Sequence, residues 1–289
     1  MPTSSRLYAM HMRGRATFER RWNATWDPQA PARRRKPKSK GAPMIEAFGD
    51  ESAGDTYVTY AYLGVAPSDA LKLAGELAKV KVRAGMESHR LHCRVLFSGP
   101  QKEKAGLRDL RFEHVVDLYD DVMQVVGRFD TRRVFAWAKV SDFRNTIPEQ
   151  GNFKSISFDK KSLGVWCANV ALIKFSEEFG AKNVTVWTDV DKTKIDWISG
   201  RRQASQAIGC WFDHGSGPAL RITPQPEVMS DERALLFEVA DLIAWLEQRV
   251  LERGRSNLPD RLRRLHAFVG AQGARLPTMN GQRSGVSYR

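Results

Sequence analysis

The sequence predicts an α/β fold in which a mixed sheet is flanked by helices. Two β-type segments, near residues 45–49 and 56–65, are separated by Gly54-Asp55 and indicate a β-hairpin. A third strand is predicted over residues 132–140, where Val and Ala alternate with larger side chains. A helical pattern over residues 159–179 leads directly into a strand over residues 184–188. A helix that runs into a strand in this way is typical of α/β proteins.

The composition is that of a globular protein with one sizeable core. The chain has 289 residues, of which 42% are hydrophobic, and this length accommodates a domain of about 200–250 residues. No apolar run approaches the roughly 18 residues of a membrane span, so no membrane partner is expected. The three cysteines are scattered, which predicts neither a zinc site nor a disulfide framework. These features favour a reducing, cytoplasmic compartment.

Much of the positive charge lies in residues 1–43, which are predicted to be a flexible basic arm. This segment holds eleven Lys or Arg and two acidic residues, a net +9, so only +4 of the chain's +13 remains for the body. Its basic run, Arg33, Arg34, Arg35 and Lys36, is a candidate nucleic-acid contact. A solvated tail is the plainer interpretation. Translation from Met44, which begins the first predicted strand, would remove the arm altogether.

The remaining elements are predicted from apolar periodicity and from cap residues. A stretch at 87–99 is expected to be a loop, and the helix near 232–249 is expected to be capped by Ser230. Residues 256–289 are assigned to a short helix and a mobile tail. The other predicted elements are helices at 67–83, 107–127, 201–210 and 259–269, and a strand at 219–223.

Three separate elements each deliver a carboxylate next to an apolar run. Asp50 and Asp189 are predicted at strand ends, and Asp241 lies on the late helix, three residues after Glu238. Like charges that are brought together repel each other, and a divalent cation removes that cost. We therefore expect Asp50, Asp189 and Asp241 to converge on Mg²⁺ or Mn²⁺, and to form an unpaired acidic cluster without the ion. Asp191 competes with Asp189 for this position.

The helix that carries Asp241 is apolar on nearly every side, which predicts that it is buried. A buried Asp must be hydrogen-bonded, paired with a cation or bound to metal. The helix alone favours a metal ligand and a buried ion pair with an arginine equally. No basic residue lies between Leu235 and Leu246, so a local partner is not expected.

Four motifs follow one another along the chain: Phe48-Gly49-Asp50-Glu51-Ser52, His92-Cys93-Arg94-Val95-Leu96-Phe97-Ser98-Gly99, the strand-end Asp189, and Leu236-Phe237-Glu238-Val239-Ala240-Asp241. In this order they resemble the domain-of-unknown-function family 3800, whose members are ribonuclease H-like. The resemblance covers residues 44–255 and implies a ribonuclease H-like domain there. Glu238 stands where that family often has Gln, which adds either a further metal ligand or only a charge.

The resemblance implies a role for each of these side chains. Asp50, Asp189 and Asp241 would be the carboxylates of a ribonuclease H-like site, and His92 would touch the substrate or the departing phosphate. Glu51 alternates to the opposite face of an extended chain, so a structural role is expected for it.

The implied function is a metal-dependent nuclease or another nucleic-acid phosphodiesterase, with either DNA or RNA as substrate. The alternative is a catalytically inactive nucleic-acid-binding or scaffold protein of phage or mobile-element origin. The fold alone does not decide between the two.

Overall fold

A computed structural model describes residues 44–143, 160–179, 183–188, 219–222 and 233–275. The chain divides into two units, Met1–Gly41 and Ala42–Arg289, and every described residue belongs to the second. Within the described ranges, no helix is long and apolar enough to cross a membrane.

The described residues form a six-stranded mixed sheet and seven α-helices. The strands are β1 (Met44–Ala53), β2 (Tyr57–Val65), β3 (Arg132–Lys139), β4 (Asn183–Thr188), β5 (Ala219–Ile222) and β6 (Gln272–Arg275). The helices are α1 (Pro67–Arg83), α2 (Cys93–Leu96), α3 (Gly99–Lys104), α4 (Phe112–Val126), α5 (Lys160–Phe179), α6 (Ala234–Arg253) and α7 (Asp260–Val269). This arrangement confirms the predicted α/β class.

The sheet is built around β1, and its strand order is β5-β4-β1-β2-β3-β6. β1, β2 and β3 form an antiparallel meander, in which β1 and β2 are the predicted hairpin. β4 runs parallel to β1, β5 runs parallel to β4, and β6 runs parallel to β3. The parallel register of β1 with β4 reaches Gly49 opposite Thr188, so Asp50 is the first β1 residue beyond it.

Each face of the sheet carries its own apolar core, because side chains alternate along a strand. On one face, Phe48, Ala61 and Leu63 pack in a cluster with helices α1, α4, α6 and α7. On the other face, Ala47, Tyr60 and Tyr62 pack with residues of α5. Asp50 shares the alternation of Phe48 and therefore faces α6, whereas Glu51 faces α5, near Gly164, as predicted.

Five features differ from the predicted elements. β1 continues through Asp50 to Ala53, because residues 50–53 pair with β2 as far as the hairpin turn. The predicted 87–99 loop contains the one-turn helix α2, and the predicted 107–127 helix begins only at Phe112. α6 begins at Ala234 with Arg233 at its N-cap, later than a Ser230 cap implies. Residues 272–275, expected in a mobile tail, pair with β3 as β6.

Candidate active site

Helix α6 lies along β1 in the same direction and forms one wall of the candidate site. The six residue steps from Glu46 to Ser52 span about 20 Å at a strand rise of about 3.3 Å. The fifteen steps from Arg233 to Gln248 span about 22 Å at a helical rise of about 1.5 Å, so the two elements cover similar distances. Three contacts define the seam between β1 and α6: Glu46 with Arg233 at 3.8 Å, Phe48 with Phe237 at 5.4 Å between ring centroids, and Ser52 with Gln248 at 2.5 Å.

Asp50 lies in the middle of this seam and is 8% exposed. Its Oδ1 accepts a hydrogen bond of 2.8 Å from the backbone N–H of Glu51. Its Oδ2 lies 3.6 Å from a guanidinium nitrogen of Arg90, whose side chain is 48% exposed. The carboxylate is therefore buried, and one cation from the protein already faces it at the surface.

Asp241 is 3% exposed and is held by the start of α2. Its Oδ2 accepts a hydrogen bond of 2.7 Å from the backbone N–H of Cys93. Its Oδ1 lies 3.1 Å from Nδ1 of His92, whose side chain is 43% exposed. A backbone donor fixes one oxygen, while the partner of the other oxygen reaches solvent.

His92 links the two aspartates electrostatically. Its hydrogen bond with Asp241 raises the pKa of the imidazole above its ordinary value of 6.5, and the charges of Asp241 and Asp50 act in the same direction. Partial burial and the charge of Arg90 oppose this rise. His92, in the segment before α2, thus contacts Asp241 of α6 and lies within electrostatic range of Asp50 of β1. The two aspartates are paired, so the expected unpaired cluster is wrong for them.

Glu238 lies one helical turn before Asp241 but has a different partner. Its two carboxylate oxygens accept hydrogen bonds of 3.0 and 3.2 Å from Nζ of Lys81 on α1. Both side chains are buried, at 8% and 9% exposure. Burial raises the pKa of the Glu238 carboxyl, and Lys81 opposes that rise. Glu238 therefore takes part in a buried ion pair between α1 and α6.

The other predicted site residues lie outside the described part of the chain. These are Asp189, the competing Asp191, and the basic residues Arg33, Arg34, Arg35 and Lys36. Among the residues that the structure describes, no group of three or more His, Cys, Asp or Glu side chains is arranged to hold a metal ion.

Sequence reasoning missed two cations of this region, Arg90 and Lys81. Lys81 carried a signal, since it lies four residues after Leu77 and seven after Ala74, on the apolar stripe of α1. A lysine on a buried stripe requires a buried carboxylate partner. Arg90 carried no comparable signal, because it lies between helices in a segment without periodicity.

Comparison with known proteins finds no relative. No family model matches the chain, and no curated protein or solved structure matches it.

Proposed function

We propose that this protein is a divalent-cation-dependent phosphodiesterase of ribonuclease H-like fold that cleaves nucleic acid, and that it is related to family 3800. The observation that carries the proposal is that one half-exposed histidine, His92, contacts the buried carboxylate of Asp241 and lies within electrostatic range of the buried carboxylate of Asp50. Burial of two like charges at one site is costly unless cations compensate for them. Perturbed titratable groups that meet near a surface are typical of functional sites.

The strand arrangement supports the ribonuclease H-like part of the proposal. The antiparallel β1–β2–β3 unit carries Asp50 on its first strand, and β4 and β5 extend the sheet in parallel from β1. Asp189 follows Thr188 in the sequence, and Thr188 is the register partner of Gly49. The chain order is therefore compatible with a third carboxylate near Asp50.

The chemistry of the donors fits a hard cation. Asp50 and Asp241 offer carboxylate oxygens, which Mg²⁺ and Mn²⁺ prefer, and the proposed metal ligands are these two residues together with Asp189. Positive charge is favoured at both carboxylates, because the protein places the guanidinium of Arg90 next to Asp50 and the imidazole of His92 next to Asp241. When bound, the ion would supply an activated water and stabilisation of the leaving oxygen.

The residues of the chain supply orientation and a proton donor. The N–H of Cys93 fixes the rotation of the Asp241 carboxylate, and the N–H of Glu51 fixes that of Asp50. His92 reaches solvent and has a raised pKa, so it can donate a hydrogen bond or a proton to a departing phosphate oxygen. Glu238 stabilises the position of α6 through Lys81 and does not act on the substrate.

A catalytically inactive scaffold is the second candidate, and the hydrogen bonds of Asp241 favour it. The carboxylate already joins α6 to His92 and Cys93, so it has a structural use without any metal. In that case the basic run Arg33 to Lys36 would provide nucleic-acid affinity without turnover.

A cleavage assay separates these two candidates. The protein is incubated with Mn²⁺ and with single- and double-stranded DNA and RNA, beside the variants Asp50→Asn and Asp130→Asn. Asp130 is a control because its side chain is 74% exposed and pairs only at the surface, with Arg132. We expect cleavage of at least one substrate by the unsubstituted protein and by Asp130→Asn, and none by Asp50→Asn. Cleavage that survives Asp50→Asn would contradict the proposed site.

A further inference from the structure

Arg90 occupies an unusual position for a surface arginine. It lies between α1 and α2, with half of its side chain in solvent, and its guanidinium faces the buried carboxylate of Asp50 at 3.6 Å. At this distance the contact is an ion pair without a close hydrogen bond. The pair therefore joins a fixed, buried anion to a long and flexible cation at the rim of the candidate site.

The charge of Arg90 acts on several groups of the site. Besides the contact with Asp50, its charge lowers the pKa of His92 and that of Glu238, against the larger effects that raise both. Asp50, His92 and Glu238, which lie on different parts of the fold, are thus within its electrostatic range. Arg90 therefore faces the Asp50 side of the site from solvent.

An ion pair of this kind is easily exchanged. Pairs with a half-exposed partner are weak, because water solvates the cation about as well as the carboxylate does. A divalent cation carries twice the charge and prefers carboxylate oxygens, so its binding would release the guanidinium. A free guanidinium at the rim of the site has the planar donors that match a phosphate group.

We propose that Arg90 changes partner during substrate binding: it neutralises Asp50 in the metal-free protein and contacts a nucleic-acid phosphate once a divalent cation is bound. The inference rests on the proposed function and adds to it a substrate-contacting residue. It also predicts that cation and nucleic acid bind cooperatively through this side chain, since each removes a competitor of the other.

The first half of the test measures Mn²⁺ binding by calorimetry with the full chain, in the absence of nucleic acid. Removal of a competing cation should tighten binding, so Arg90→Ala should bind Mn²⁺ about two- to fivefold more tightly. Arg90→Lys keeps the charge and should bind as the unsubstituted protein does. Arg94→Ala is the matched control, because Arg94 is also exposed and lies four residues further along the chain, in α2.

The second half measures binding of labelled 20-nucleotide DNA and RNA strands by anisotropy across a salt series, at 4 °C, with strand integrity checked on gels. With Mn²⁺, Arg90→Ala should reduce the slope of log affinity against log salt by about 1, the loss of one phosphate contact. With chelator, the slope of this variant should equal that of the unsubstituted protein. Any effect of Arg94→Ala should be the same with and without Mn²⁺.

The results that overturn the inference differ from those that overturn the proposed function. Unchanged or weaker Mn²⁺ binding by Arg90→Ala, or a tightening equal to that of Arg94→Ala, overturns the partner exchange and leaves the nuclease proposal standing. A slope change in Arg90→Ala that is present in chelator also overturns the exchange. Failure of the unsubstituted protein to bind Mn²⁺ overturns both.

Discussion

Glu238 and Asp241 lie one turn apart on α6, yet the partners of their carboxylates differ in exposure to solvent. The Glu238 carboxylate is shielded from solvent, since its partner Lys81 is also buried. Asp241 is equally buried, but its partner His92 is half exposed and can be exchanged for a ligand from solvent. Burial is common to both carboxylates, so it is the exposure of the partner that distinguishes the buried ion pair of Glu238 from the proposed cation-binding position of Asp241.

The largest effect on stability is expected when the buried ion pair between Glu238 and Lys81 is broken. Lys81→Met leaves the Glu238 carboxylate buried without its cation and should lower the free energy of unfolding by about 3–5 kcal/mol at pH 7. Because burial already raises the pKa of Glu238, the loss should shrink as pH falls through that pKa and the carboxyl becomes protonated. Urea unfolding at pH 7 and at pH 5 measures both effects.

A double variant controls for the change in side-chain volume at the Glu238–Lys81 pair. Lys81→Met with Glu238→Leu replaces both charges by apolar groups and should recover most of the lost stability. If Lys81→Met alone lowers the free energy of unfolding by less than about 1 kcal/mol, the pair is accessible to water, since exposed ion pairs contribute no more than that.

A smaller effect is expected at Asp241. Asp241→Asn retains an oxygen for the N–H of Cys93 and leaves the half-exposed His92 to water, so it should cost only about 1–2 kcal/mol. The same variant should show no cleavage. Thermal unfolding in chelator together with the cleavage assay provides both readouts, and a loss of 3 kcal/mol or more would favour the scaffold candidate.

The smallest effect is a change in the pH dependence of stability. The pKa of His92 is raised in the folded protein, so its protonated form contributes stability below about pH 6.5, and this contribution is lost as pH rises through the folded value. His92→Gln should therefore lower the melting temperature more at pH 6 than at pH 8.5. An equal difference at both pH values would contradict the assigned protonation linkage.

The sheet was largely predictable from the sequence because its strands carry local signals. Apolar runs, the Gly54-Asp55 turn and the helix-to-strand order located five of the six strands in the part of the chain that the structure describes. β6 was missed because Gln272-Gly273-Ala274-Arg275 has little β propensity and owes its conformation to pairing with β3. The end of β1 was missed because its polar residues are extended by pairing with β2.

The candidate site was predictable only in part, because its contacts join distant parts of the chain. The position of Asp241 in an apolar helix indicated a buried carboxylate, but the helix itself contains no basic residue near Asp241 that could indicate its partner. The partner, His92, lies 149 residues earlier in the sequence. Likewise, Glu238 and Lys81 are 157 residues apart, and neither helix by itself specifies the other.

The most direct test of the central claim is to measure Mn²⁺ binding by electron paramagnetic resonance on matched carboxylate variants. If Asp50 and Asp241 hold the cation, Asp50→Asn and Asp241→Asn should each weaken Mn²⁺ binding by at least about 10- to 100-fold. Loss of a residue that only hydrogen-bonds a metal ligand already has an effect of that size. Asp130→Asn should bind as the unsubstituted protein does, and Glu238→Gln should retain Mn²⁺ binding as long as it stays folded. Equal Mn²⁺ affinity in all four variants would contradict the account.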